Sequence, residues 1–325
     1  MNSVNSLDPG LETQSLDTLL AGKSYRVVGT LGRGGMGEIF EVVHTVLKRR
    51  FALKVIQSRY AKYPHFVDRM RIEAQSAARL HHPHIVEVVD FWIADDGRPC
   101  MVMELLEGRT LAREVALRRV LPVSEAVQFT LQLLSALRAI HELGVVHRDI
   151  KPENLFLHHV LDRARILKVL DFGVARVLPQ APARAPLPPL QSTVMGSIVG
   201  TPRFASPEAL RGESVDTRAD IFSAGLILYF MLTGCSAYDQ MLPTERPDRL
   251  RVRPVSDIAG PRVTPKLDAV ILKAVCSNID RRYQDAGAFA RDLMGCSDTD
   301  RYAAGLVPTA THAKRSKSTR PGKAW

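Results

Sequence analysis

Residues 147–154, His-Arg-Asp-Ile-Lys-Pro-Glu-Asn, crowd five side chains capable of acid–base or charge-balancing chemistry into eight positions. Pro152 denies the stretch a helix, so it is a loop held between the elements that flank it. Asp149 can orient a hydroxyl. Lys151 can neutralise a phosphoryl group in transfer, and Asn154 offers an oxygen suited to a hard cation. Further on, Asp171-Phe172-Gly173 places an acid at the end of an apolar run, before a flexible glycine. A carboxylate so placed suits Mg²⁺, although the tripeptide alone also reads as an ordinary turn.

Two more charges stand in apolar surroundings. Phe51-Ala52-Leu53-Lys54-Val55-Ile56 reads as a strand whose period of two puts Ala52, Lys54 and Ile56 on one face and Phe51, Leu53 and Val55 on the other. A helix over Phe66–Leu80 would align Met70, Glu73, Ala74 and Ala77. A lysine and an acid on such faces are costly to bury singly. Either they pair across a cleft, or both are surface charges whose stems lie along the protein.

The roof of such a cleft is suggested by Leu31-Gly32-Arg33-Gly34-Gly35-Met36-Gly37-Glu38-Ile39, which contains G-x-G-x-x-G. A dinucleotide site needs a helix directly after the third glycine. Here Glu38–Val43 is β-branched and aromatic with no capping residue, and Tyr25–Leu31 reads as a strand too, so the segment is a hairpin. Glycines at its tip let backbone approach phosphate oxygens that a Cβ would block. No Gly-Lys-Ser/Thr follows, which removes the P-loop reading.

These elements divide the chain. Residues 1–23 read as a flexible leader, about 24–103 as a strand-rich lobe, 104–108 as a hinge, and about 109–296 as a mostly helical lobe. A helix runs from Ser124, read as its N-cap, to about His141, ending at Gly144. Ile221–Leu232 is too short for a membrane span and reads as a buried helix. Five prolines between Pro179 and Pro189 make that stretch an exposed, extended insertion.

The net charge is +10, but six basic residues and no acid lie from Arg301 onward, leaving +4 over the first 300 residues. The basic character is therefore largely that of a 297–325 tail, read as disordered and not expected to be a nucleic-acid site. Cys100, Cys235, Cys276 and Cys296 are scattered, which fits reduced thiols in a cytoplasmic protein. The N-terminus has no secretory signal.

The glycine hairpin, Lys54, Glu73, HRDIKPEN, DFG and Ser206-Pro207-Glu208, in this order and spacing, resemble the Hanks-type protein kinase family, above all its bacterial, eukaryotic-like serine/threonine branch. The likeness spans roughly residues 25–296. It implies an α+β, bilobal protein-kinase fold: a small antiparallel sheet with one main helix, then a larger helical lobe. By that resemblance Leu31–Ile39 would cover the triphosphate of ATP. Leu31, Ile39 and Ala52 would lie above adenine and Phe156 below it, with Met103 behind and the Glu104 and Leu106 backbones on its edge. Lys54, held by Glu73, would grip the α- and β-phosphates. Asp171 and Asn154 would hold Mg²⁺, with Mn²⁺ as a substitute. Asp149 would orient the substrate hydroxyl and accept its proton, and Lys151 would meet the γ-phosphate.

The same likeness implies protein substrates bearing Ser or Thr, because Asp-x-Lys-x-x-Asn and Thr201 match the serine/threonine pattern. Asp220–Gly225 would anchor the catalytic loop and Arg282 would pair with Glu208. His81-His82-Pro83-His84 falls where the family has a His-Pro turn. Arg148 suggests that a phosphorylated residue among Ser192, Thr193 and Ser197 orders the activation segment, placed there by trans-autophosphorylation in a homodimer. A pseudokinase scaffold is the alternative, but Lys54, Asp149 and Asp171 are all present.

Overall fold

The structure, a computed structural model, describes residues 18–33, 37–160, 164–170, 203–240 and 251–303, with side chains throughout except at 64, 65, 69, 73, 76, 239, 240 and 297–303. Five antiparallel strands, β1 (Tyr25–Arg33), β2 (Gly37–His44), β3 (Arg50–Ile56), β4 (Val88–Ile93) and β5 (Pro99–Glu104), pair in the order β1-β2-β3-β5-β4. One turn, α1 (Ser58–Ala61), precedes the main helix of this lobe, α2 (Pro64–Arg79).

The period of two in β3 is realised on both faces. Phe51, Leu53 and Val55 pack with Phe40, Val42, Trp92 and Val102. Ala52 and Ile56 pack on the opposite face with Met70, Ala74, Met101 and Met103. Leu19 and Leu20 are buried in the first of these clusters, and Trp92 donates its indole N–H to the Leu19 carbonyl at 3.1 Å. Packing therefore begins upstream of Tyr25, within the stretch that composition marks as leader. All four cysteines are free, and burial pushes the Cys100 thiol up to about 12, leaving it an inert packing group.

The second lobe opens with β6 (Gly108–Thr110), α3 (Leu111–Arg118) and α4 (Val123–Glu142); β6 pairs with β7 (Leu155–His159), which pairs with β8 (Arg165–Val169). Ser124 does not cap α4. Pro122, with φ −57° and ψ 145°, holds the extended cap position and the helix starts at Val123, because a proline there sacrifices no helical hydrogen bond. Gly144, at φ +72°, ends the helix by donating its N–H to the His141 carbonyl.

After α5 (Pro207–Leu210) comes α6 (Thr217–Thr233), which Asp216 caps by accepting from Arg218 N at 2.9 Å. Its Ile221–Leu232 stretch is buried on every side apart from Phe230, in keeping with a core helix. A Cβ on Gly225 would lie 2.8 Å from both Ala274 Cβ and Val275 Cγ1, so glycine is what lets α6 meet α8 (Pro265–Ala274). Between them in sequence lies α7 (Ser256–Ala259), and α9 (Ala286–Ala303) follows. The two-lobed α+β architecture expected from the motifs is thus present. Among the described residues no helix is long and apolar enough to cross a membrane.

Arg282 and Glu208 pair as expected: Nη1 donates to Oε1 at 2.7 Å and Nη2 to Oε2 at 3.1 Å, with both side chains buried. Arg282 also donates to the Arg218 and Cys276 carbonyls and stacks on Phe222. Burial alone would raise the Glu208 carboxyl, but the Arg282 fork outweighs it and holds the group below the usual range. A carboxyl depressed in the folded state adds stability above its unfolded value, which is lost as pH falls through the folded one. Arg282→Met should therefore cost about 3–5 kcal/mol in urea unfolding at pH 7. It should also flatten the acid-side loss of stability seen in the wild type below about pH 4. A variant as stable as the wild type would contradict the pairing's role.

Candidate active site

The loop from Val145 to Lys151 has no regular structure and leads into a single 3₁₀ turn, Pro152–Asn154. Its shape is imposed by one acid on α6. Asp220 is buried, and its carboxylate accepts from His147 N and Arg148 N at 2.8 Å each and meets His141 Nε2 at 2.8 Å. Arg148 holds φ +63°, a conformation costly for a side-chain-bearing residue, and the two Asp220 bonds to consecutive amides keep the chain in it. Sequence reasoning placed Asp220 behind this loop; it missed His141, one helix away.

Beyond the bend the loop presents its reactive groups. Lys151 Nζ donates to Asp149 Oδ2 at 2.7 Å. Asn154 Nδ2 donates to the same Oδ2 at 2.8 Å and to the Asp149 carbonyl at 2.9 Å. With the amide nitrogen so committed, the Asn154 carbonyl oxygen turns the other way, a neutral oxygen of the type a hard divalent cation accepts. Both contacts to Asp149 fall on Oδ2, leaving Oδ1 without a donor among the described residues. The Asp149 side chain is about half exposed, at 48%. A carboxylate oxygen reachable from solvent beside a fixed ammonium can receive a hydroxyl proton next to an anion.

The roof is the β1–β2 hairpin, in which Gly32 pairs with Ile39 and Arg33 with Glu38, the latter also an ion pair at 3.3 Å. Its glycines serve different ends. A Cβ on Gly37 would sit 2.3 Å from the Val55 carbonyl, so that glycine is needed for β2 to close on β3. A Cβ on Gly32 meets no atom within 4 Å, so the fold does not require its bareness. Gly34, Gly35 and Met36 lie outside the described residues.

Beneath the roof, cross-strand pairing aligns Ile39, Lys54 and Met101 in one row, and Ala52 with Met103 in the next. Ile39 and Leu106 are half-buried beside them, and Leu31 is 49% exposed at the rim. Phe156 lies on β7 in the other lobe. The face of β3 carrying Lys54 packs on the face of α2 carrying Met70 and Ala74. The Glu73 side chain, and with it the expected Lys54–Glu73 pair, lies outside the described residues. So do Asp171, Thr201, Ser192, Thr193, Ser197 and the proline-rich 179–189 stretch.

One pair across this cleft went unread in the sequence. Lys168, buried on β8, donates to Glu104 Oε1 at 2.5 Å, and the same oxygen accepts from Glu87 N at 2.9 Å. The signal was available: Ile166-Leu167-Lys168-Val169-Leu170 sets a lysine in an apolar strand just as residues 51–56 do. His82 and His84 bond to groups far along the chain, and no group of three or more metal-ligating side chains forms among the described residues. His82 meets Ser135 Oγ and His84 meets the Leu167 carbonyl, and burial, with the neighbouring charges, lowers both imidazoles' pKa.

Comparison with known proteins agrees with this geometry. Residues 25–282 match the family described as protein kinase domain. A probable serine/threonine-protein kinase of Streptomyces coelicolor is 36% identical over 282 residues, covering 85% of this chain and 40% of that protein. Serine/threonine-protein kinase PknB of Mycolicibacterium smegmatis is 36% identical over 275 residues, covering 83% and 42%. The chain thus spans about 40% of the length of these relatives. Among solved structures, the PknI kinase domain of Mycobacterium tuberculosis superposes with a TM-score of 0.64 at 27% identity, covering 84% of this chain and 96% of that one.

Asp220→Ala strips the acceptor from two buried amides, each worth about 1–3 kcal/mol when orphaned. Hydrogen exchange at His147 and Arg148 should accelerate by at least about tenfold, with a matching fall in melting temperature. Exchange as slow as in the wild type would show that the loop is held by something else.

Proposed function

The chain belongs to the protein kinase domain family, and on that premise we propose that it is a serine/threonine protein kinase that moves the γ-phosphoryl group of ATP onto hydroxyls of protein substrates. The observation that carries this reading is Asp149, gripped on one oxygen by Lys151 and Asn154 in a loop pinned to the core, with a side chain about half exposed. In the reaction the acceptor Ser or Thr oxygen forms a bond to the γ-phosphorus as the bond to the β,γ-bridging oxygen breaks. ADP leaves, and the hydroxyl proton passes to Asp149 Oδ1. Lys151 stays within reach of the charge that builds on the transferring group. Little covalent chemistry is asked of the protein, because the transition state is loose and positioning with charge stabilisation supplies most of the acceleration.

Nucleotide would lie under Leu31–Ile39, against Ala52, Met103, Phe156 and the Glu104 and Leu106 backbones, with Lys54 on its phosphates and Glu73 orienting that lysine. The family uses a divalent metal; a Mg²⁺ held by Asn154 and Asp171 would neutralise phosphate charge there. The amide orientation of Asn154 supports its part in this. Serine/threonine preference rests on Lys151 two residues after Asp149. Autophosphorylation among Ser192, Thr193 and Ser197, trans action within a homodimer, a signalling role and a cytoplasmic location belong to the same proposal.

Labelled ATP with Mg²⁺ and a generic basic protein should put label on Ser and Thr of substrate and enzyme. Asp149→Asn should lower kcat by about 10²–10⁴-fold with little change in nucleotide affinity, whereas Lys54→Met should abolish transfer. Undiminished labelling in Asp149→Asn would falsify the assignment of the base.

A further inference from the structure

Glu104 has two faces toward the site. By the reading above its backbone meets the adenine edge, while its side chain turns the other way and is held. Lys168 Nζ lies 2.5 Å from Glu104 Oε1 and 3.4 Å from the Ile85 carbonyl; Glu87 N donates to Oε1 at 2.9 Å, and Glu104 N donates back to the Glu87 carbonyl at 3.0 Å. The side chains are 10% and 17% exposed, so each charge depends on the other.

Lys168 is fixed from its own side as well. Val169 N donates to the His84 carbonyl and Val86 N to the Val169 carbonyl, both at 2.9 Å, while Leu170 N donates to the Asn154 carbonyl at 2.9 Å. Its cross-strand partner is Phe156, and directly opposed residues of an antiparallel pair share a face. The lysine stem thus stands beside the ring proposed to lie under adenine, and its charge reaches the residue proposed to read the base edge.

We propose that Lys168 is a specificity-determining positioning residue: by clamping the Glu104 carboxylate it fixes the Glu104 peptide, so that its carbonyl is held as an acceptor for the 6-amino group of adenine and against the 6-oxo group of guanine. This rests on the phosphotransfer reading. A fixed carbonyl rewards a donor and rejects an acceptor, because two acceptors face to face leave both unpaired. A carbonyl free to swing would lose the reward and relax the rejection.

The test is titration of the full chain with fluorescent N-methylanthraniloyl ATP and GTP in Mg²⁺, alongside the melting temperature without nucleotide. The wild type should prefer the ATP analogue. Lys168→Met should weaken ATP binding by about tenfold while leaving GTP binding within about twofold, so that discrimination collapses. Lys168→Arg should restore it. Glu104→Gln, which keeps the shape and removes the charge, should narrow the ratio in the same direction and stands in if the methionine variant does not fold. Loss of affinity for both analogues in equal proportion, with the ratio intact, would make Lys168 a structural residue only and remove the proposal. A wild type that binds neither analogue would instead remove the phosphotransfer reading, and the clamp with it.

Discussion

A buried carboxylate with two backbone amides on it is the constraint from which the catalytic side of this molecule follows. Asp220 sits in the first turn of α6, a helix enclosed by the second lobe, and accepts from His147 N and Arg148 N. Those two bonds fix where the loop leaves the core, and the left-handed bend at Arg148 then aims Asp149 outward. Lys151 and Asn154 complete the arrangement from within the same eight residues. The Asp149 carboxylate is half exposed, yet its position is set by a buried group. A loop with no regular structure thereby acquires the precision of the helix beneath it.

Several other buried charges among the described residues are met by an opposite charge. Arg282 with Glu208 ties the Pro207–Leu210 helix to the segment before α9, and Lys168 with Glu104 joins β8 to the end of β5. Glu114, buried on α3, is met by Arg165, Arg118 and Arg109, and Arg165 and Arg118 also reach Glu125. Apolar side chains of similar volume could replace such pairs with little loss of stability. What apolar packing does not provide is direction. Arg282–Glu208, Lys168–Glu104 and the bonds of Arg165 to Glu114 and Glu125 each join segments distant in sequence at one register.

Much of this was legible in residue types and spacing. The period of two in β3, the apolar face of α2 and the enclosed α6 helix all follow from hydrophobic patterning, because burial acts on whole faces. The loop of residues 147–154 was legible because proline excludes a helix and the charges are too dense to bury. The cap of α4 was misplaced by two residues: serine is a strong cap signal, and Pro122 outcompeted it. Leu19 and Leu20 were hidden by their polar neighbours, since two leucines do not establish a period. The Lys168–Glu104 and His141–Asp220 contacts join residues 64 and 79 positions apart, where no local pattern announces a partner.

The anchoring of Leu19 and Leu20 against Trp92 has a mechanical side. β3 is gripped on one face by the cluster containing these leucines and carries Lys54 on the other. Tension on the chain ahead of residue 18 would enter the molecule at the back of the strand that carries Lys54. Leu19 and Leu20 thus tie the start of the described chain to the strand that carries Lys54.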